Sequence, residues 1–195
     1  MAKQPEINNP DYLPIAFYLV GAVGQFVDVE DAFVRCWELA PERFGWRKHK
    51  YPDLKRLSKA LRDLEERNPT LLLKTPDGNG RQLTSAGLSW VKEHLPRFES
   101  LSEHPELVAP MRRPVFRRLN ELASHPVVAE YTPGSTATIE KHVAADLLLC
   151  SPDSPPDVWR ERLESFRVAA EFGKRPDLVQ FLDELAANHA KWFGR

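Results

Sequence analysis

The sequence predicts a mainly helical protein in two parts: a three-helix unit carrying one β-hairpin, then a small helical bundle. Three observations predict it. Apolar residues recur at three- and four-residue spacings through most of the chain, the period of a half-buried helix. The segment Thr70 to Leu83 breaks that period with two short strand-like runs about the turn Pro76-Asp77-Gly78-Asn79-Gly80. Proline-bearing stretches at 100–114 and 151–157 punctuate the rest. The expected domains span 10–102 and 111–193.

Composition bounds the class. The chain has 195 residues, 42% hydrophobic and 28% charged, which is ordinary for a globular protein. At this length it buries roughly two-thirds of its unfolded surface and needs no staple. Its two cysteines, Cys36 and Cys150, are too few and isolated for a disulfide framework or zinc site. No apolar run approaches the ~20 residues of a membrane span. The first ten residues lack the charged-then-apolar order of a signal peptide, so a cytoplasmic location is expected.

The first helix is expected over Tyr12 to Val23, apolar nearly all round and therefore buried, with Pro14 in its first turn. Asp28 caps the second, whose Val29, Ala32, Phe33, Cys36, Trp37 and Ala40 share one face, and Pro41 stops it. A connector, Glu42 to Tyr51, leads to a third helix starting at Pro52. There Leu54, Leu57, Leu61 and Leu64 form a narrow buried stripe, and Asn68-Pro69 ends the helix. The hairpin follows. Thr84 then caps a helix from Ser85 to about Leu101, and no strand outside the hairpin is expected.

Charge is concentrated in the middle of this unit. From Arg43 to Arg62 the chain has eight basic residues against one acid, Asp53, a local balance of +7. The remainder has nineteen basic and twenty-seven acidic residues, a balance of −8. Lys55, Arg56, Lys59 and Arg62 fall off the leucine stripe, so the third helix has an apolar back and a basic front. A basic segment on an otherwise acidic chain points to a polyanion contact.

Helix, helix, basic-fronted helix, hairpin, helix is the order of a winged helix-turn-helix domain, with the third helix as recognition helix and the hairpin as wing. On that reading double-stranded DNA is the partner. Lys55, Arg56, Lys59 and Arg62 meet the major groove, Arg47, Lys48 and Lys50 the backbone, and Asn79 at the wing tip, with Lys74 and Arg81 below it, the neighbouring phosphates.

Particular runs strengthen this: Phe26 to Phe33, Glu38 to Lys48, Arg81 to Gly87, and Leu149 to Arg162. Together they resemble uncharacterised bacterial winged helix-turn-helix proteins, loosely associated with restriction and phage-defence gene neighbourhoods. The resemblance implies a fold and a regulatory or DNA-sensing role, but no established activity. The chain departs from the group at Lys48-His49-Lys50-Tyr51-Pro52, which is longer than the link expected there.

In the second half, Ser100 to Pro114 reads as a hinge. Helices are expected over Val115 to Ser124 and Ile139 to Cys150, then from a cap at Asp157, with a last one containing Leu178, Phe181, Leu182 and Leu185. Tyr131 to Thr138 reads as a surface loop. Trp159, Phe166, Phe172, Phe181, Trp192 and Phe193 read as core, and part of this bundle could form a homodimer face or bind a protein partner. Arg112, Arg113, Arg117 and Arg118 read as a solvated helix start.

No catalytic constellation is legible. The six histidines share no metal-ligand spacing, and the pair His142 and Asp146 reads as a surface hydrogen bond. Gly78-Asn79-Gly80 lacks the lysine of a phosphate loop. No cofactor, metal or enzymatic activity is expected. The alternative to DNA binding is an adaptor that joins other proteins of a defence complex without touching DNA.

Overall fold

The computed structural model describes residues 7–98 and 113–194, which fall into two compact units divided between Met111 and Arg112. The expected hinge over 100–114 lies outside what is described except for Arg113 and Pro114, which begin a helix; the end of the helix anticipated near Leu101, Arg112, and the side chains of Arg113 and Phe116 also lie outside it. The described residues are mainly helical with one small antiparallel sheet.

The first unit opens on α1 (Asn9–Leu19), three residues earlier than the apolar pattern suggested. Asp11 sets that start: its carboxylate accepts from the Asn8 amide at 3.0 Å, and acids are favoured in a helix's first turn. Pro14 consequently sits inside the helix rather than in its first turn, where it forgoes one backbone hydrogen bond. The chain leaves α1 through Gly21, which holds φ at +90°. Asp28 caps α2 (Val29–Leu39) as expected, accepting from the Glu30 amide at 2.8 Å. Pro41 both ends α2 and starts a single turn, α3 (Pro41–Phe44). Next come α4 (Leu54–Glu65), β2 (Leu72–Lys74), β3 (Gly80–Leu83) and α5 (Ser85–His94), which Thr84 caps through the Gly87 amide at 3.0 Å.

The hairpin pairs Leu72 with Leu83 and Lys74 with Arg81. A further strand, β1 (Val27–Asp28), adds to the free edge of β3, giving the order β1-β3-β2. The sequence analysis expected no strand there. Two residues, the second of them the cap of α2, are too few to show alternation, and only their pairing with Gly80 and Arg81 defines them.

Helix α1 is the hub, packing on α2, α4, α5 and β3. Its Leu13, Ile15, Ala16 and Phe17 are wholly buried, as are Leu57, Leu83, Leu88 and Val91 from the elements around it. The α5–hairpin junction is close: a Cβ on Gly87 would strike the Leu71 carbonyl, so no side chain fits there.

The second unit consists of α6 (Arg113–Ser124), α7 (Pro126–Ala129), α8 (Lys141–Leu147), α9 (Pro156–Phe172) and α10 (Pro176–Asn188). Helix α9 packs on α6 and α10 around fully buried Trp159 and Phe181. Pro155, not Asp157, occupies the N-cap of α9, because two prolines in a row fix the entry to the helix and leave Asp157 in its first turn. The Tyr131–Thr138 stretch is largely exposed, as expected, but it is pinned at Thr136. Thr136 is fully buried, its hydroxyl accepting from Asn188 Nδ2 at 2.7 Å and its carbonyl meeting His189 Nε2 at 2.8 Å. Phe172 and Trp192 are only half-buried, so they belong to the rim of this core.

Candidate nucleic-acid interface

Helix α4 is amphipathic along its whole length. Asp53 caps it, accepting from the Arg56 amide at 3.2 Å. Leu57, Ala60, Leu61 and Leu64 are buried on one side. Leu54, expected in this stripe, is 56% exposed. It is the first helical residue, and side chains lean toward the helix N-terminus, so it projects past the end of the core. On the opposite side Lys55, Lys59 and Arg62 follow at i, i+4 and i+7, within about 60° of one another at 3.6 residues per turn. All three are exposed, and they make no ion pair among the described residues.

Arg56 behaves differently from the other three. It lies about 60° round the helix from Lys59. Its Nη1 donates to the Arg43 carbonyl at 2.9 Å and its Nε pairs with Asp53 at 3.3 Å. It ties the start of α4 to the end of α3, although its side chain is still about half exposed.

The connector before α4 is a closed loop. Gly45 and Pro52 form an antiparallel bridge, the Trp46 amide donates to the Tyr51 carbonyl at 3.0 Å, and the Asp53 amide donates to Phe44. Gly45 is required at this neck, since a Cβ would come within 2.5 Å of the Pro41 carbonyl. The tip presents Arg47, Lys48, His49 and Lys50, all exposed.

The hairpin contributes less than expected. Lys74 is exposed at the end of β2. Asn79 at the tip is engaged within its own turn, its Nδ2 donating to Asp77 at 3.3 Å and its backbone amide to the same carboxylate at 3.2 Å. The Thr75 hydroxyl, and after it the Asn79 amide, hold the Asp77 carboxyl below the usual carboxylate range. The hairpin tip therefore carries a negative charge.

Arg81 is a correction. It is buried, at 3% exposure, with Nε on Glu65 of α4 at 2.6 Å and Nη1 donating to the carbonyls of Gly78 and Gly80 at 2.8 and 2.9 Å. It braces the hairpin against α4 and cannot reach a phosphate. Pairing β1 with β3 covers this position, and that pairing was the feature not seen in the sequence. Arg81→Ala is expected to cost about 2 kcal/mol of stability, because charged hydrogen bonds to Glu65 and to two half-buried carbonyls are lost. Thermal unfolding of the variant checks this; an unchanged melting temperature would mean the brace is idle.

The structure thus groups Arg47, Lys48, Lys50, Lys55, Lys59 and Arg62 on a loop and the helix that follows it, with Lys74 on the hairpin. The sequence reading missed Trp46 and Tyr51, exposed at 56% and 63% on the neck of the loop. The available signal was their position at the two ends of a basic run, Trp46-Arg47-Lys48-His49-Lys50-Tyr51.

No family model, no curated protein and no solved structure matches this chain. The chemistry elsewhere is sparse. Among the described residues no three His, Cys, Asp or Glu side chains group as metal ligands, and no helix is long and apolar enough to cross a membrane. His142 faces Glu140 at 3.3 Å on the surface, not Asp146. Burial pushes the Cys36 thiol far above its ordinary pKa, and desolvation raises that of Cys150, so neither is an activated nucleophile.

Proposed function

We propose that the first unit is a winged helix-turn-helix domain that binds double-stranded DNA through the outward face of α4. The observation that carries this reading is the exposed cationic stripe Lys55, Lys59 and Arg62, without an ion pair among the described residues, on a helix whose opposite side is wholly committed to the core. The element order α1-β1-α2-α3-α4-β2-β3-α5 and the sheet order β1-β3-β2 support it, since a basic helix directly before a hairpin is the order expected of a recognition helix and its wing, with the single turn α3 as an addition. Lys55, Lys59 and Arg62 enter the major groove. Arg47, Lys48 and Lys50 flank it on the sugar–phosphate backbone, and Lys74 reaches the next phosphates from the wing. Arg56 positions the helix. Arg81 and Asn79 shape the wing and make no contact of their own.

A regulatory or DNA-sensing role in a bacterial defence system rests on the sequence resemblance alone. The bundle serves this reading as a dimer or partner module. The test is a fluorescence-anisotropy titration of the intact chain against a mixed-sequence duplex at low salt. Saturable binding is expected. Absence of binding would favour the adaptor reading, with the +7 segment as a docking surface for an acidic protein.

A further inference from the structure

The loop between α3 and α4 has more than charge. Val34, Trp46, Tyr51, Leu54 and Leu149 are the large apolar side chains left exposed among the described residues, and three of them fall between 46 and 54. Trp46 and Tyr51 meet edge to face, ring centroids 6.3 Å apart, and His49 lies 6.4 Å from the Trp46 ring. The edge-on contact leaves ring faces uncovered. Beside them is an open depression of about 400 Å³, lined by Gly45, Trp46, Lys48, His49, Asp53 and Arg56 among others, within the size range of small-ligand sites. Its one acid, Asp53, is already committed to the Arg56 amide and guanidinium. The surroundings are therefore cationic and aromatic together.

A duplex groove has no use for exposed indole and phenol faces at a backbone-contacting loop, because paired bases stack on one another. Bases outside a duplex present uncovered π-faces, and they join aromatic rings in cationic grooves. We propose that this loop is a nucleobase-stacking site: an unpaired base next to the duplex stacks on Trp46, Tyr51 supports that ring from its edge, and Arg47, Lys48 and Lys50 hold the flanking phosphates. The protein then prefers DNA that has a duplex–single-strand boundary over uninterrupted duplex. This rests on the α4 reading for the duplex part of the contact and adds the single-stranded part.

The test compares the full-length protein on a blunt mixed-sequence duplex and on the same duplex with a short single-stranded overhang, by anisotropy at one salt concentration. The overhang is expected to strengthen binding roughly tenfold to a hundredfold, the usual worth of a stacked base. Trp46→Ala should erase that preference and leave the blunt-duplex affinity within about twofold, whereas Trp46→Phe should retain most of it. Circular dichroism checks that both variants fold. Equal wild-type affinity for the two probes, or equal weakening of both by Trp46→Ala, would overturn the stacking site and leave the α4 reading intact. Failure to bind either probe would remove both.

Discussion

The affinity of the intact protein for mixed-sequence duplex DNA is expected to fall about 500-fold between ~50 and ~200 mM salt. Each phosphate neutralised releases condensed counterions, at a log–log slope near −0.9 per contact. Lys55, Lys59 and Arg62, with two or more of Arg47, Lys48, Lys50 and Lys74, amount to about five contacts, hence a slope of about −4 to −5. These side chains are exposed and make no ion pair among the described residues, so none there has to break before they reach a phosphate. The acids on the rest of the chain do not cancel the effect, because beyond roughly 10 Å they are screened at these ionic strengths. Anisotropy titrations across the salt range check the value. A slope near zero would mean that what binds is not a polyanion held by this surface.

Leu57→Ala is expected to destabilise the first unit by about 2–5 kcal/mol. Leu57 has no exposed surface and lies where α4 packs on α1, so its removal leaves a cavity that neighbours on two helices cannot easily close. For a unit of this size the loss corresponds to a melting-temperature drop of roughly 10–30 °C. Leu54→Ala provides the contrast. Leu54 belongs to the same spacing but is mostly exposed, and its truncation should stay within about 0.5 kcal/mol. Thermal unfolding followed by circular dichroism separates the two. Comparable effects would show that the first turn of α4 is packed after all.

The comparison of those two leucines marks how far the sequence was legible. Periodicity placed α2, α4 and α5 and separated the buried side of α4 from its basic side, because an amphipathic helix writes both faces into its spacing. It could not tell that Leu54 sits one turn too early to be covered, since end effects depend on where the cap falls. The hairpin was legible through its turn residues, and Gly78 does adopt φ of +82°. Strand β1 was not, because a two-residue strand exists only through its partner. That omission carried into the site: without β1 on the far edge of β3, Arg81 looked free to reach outward, whereas the sheet and Glu65 enclose it. Asn79 does lie in the hairpin turn, but its use by Asp77 is a contact within the turn that charge counting does not reveal. The aromatic neck of the loop was overlooked for a related reason. Tryptophan and tyrosine near helical segments usually belong to a core, and only the bridge between Gly45 and Pro52 turns Trp46 and Tyr51 outward.

The central claim is that the outward stripe of α4 meets phosphates, and the change in salt slope on removing part of it tests that most directly. Lys55→Ala with Lys59→Ala, in the intact chain, is to be titrated with duplex DNA across the salt series used for the wild type. If both lysines neutralise phosphates, the slope flattens by about 2, and by about 1 if one of them reads a base edge. An unchanged slope, with the double variant folded and binding as the wild type does, would contradict the account.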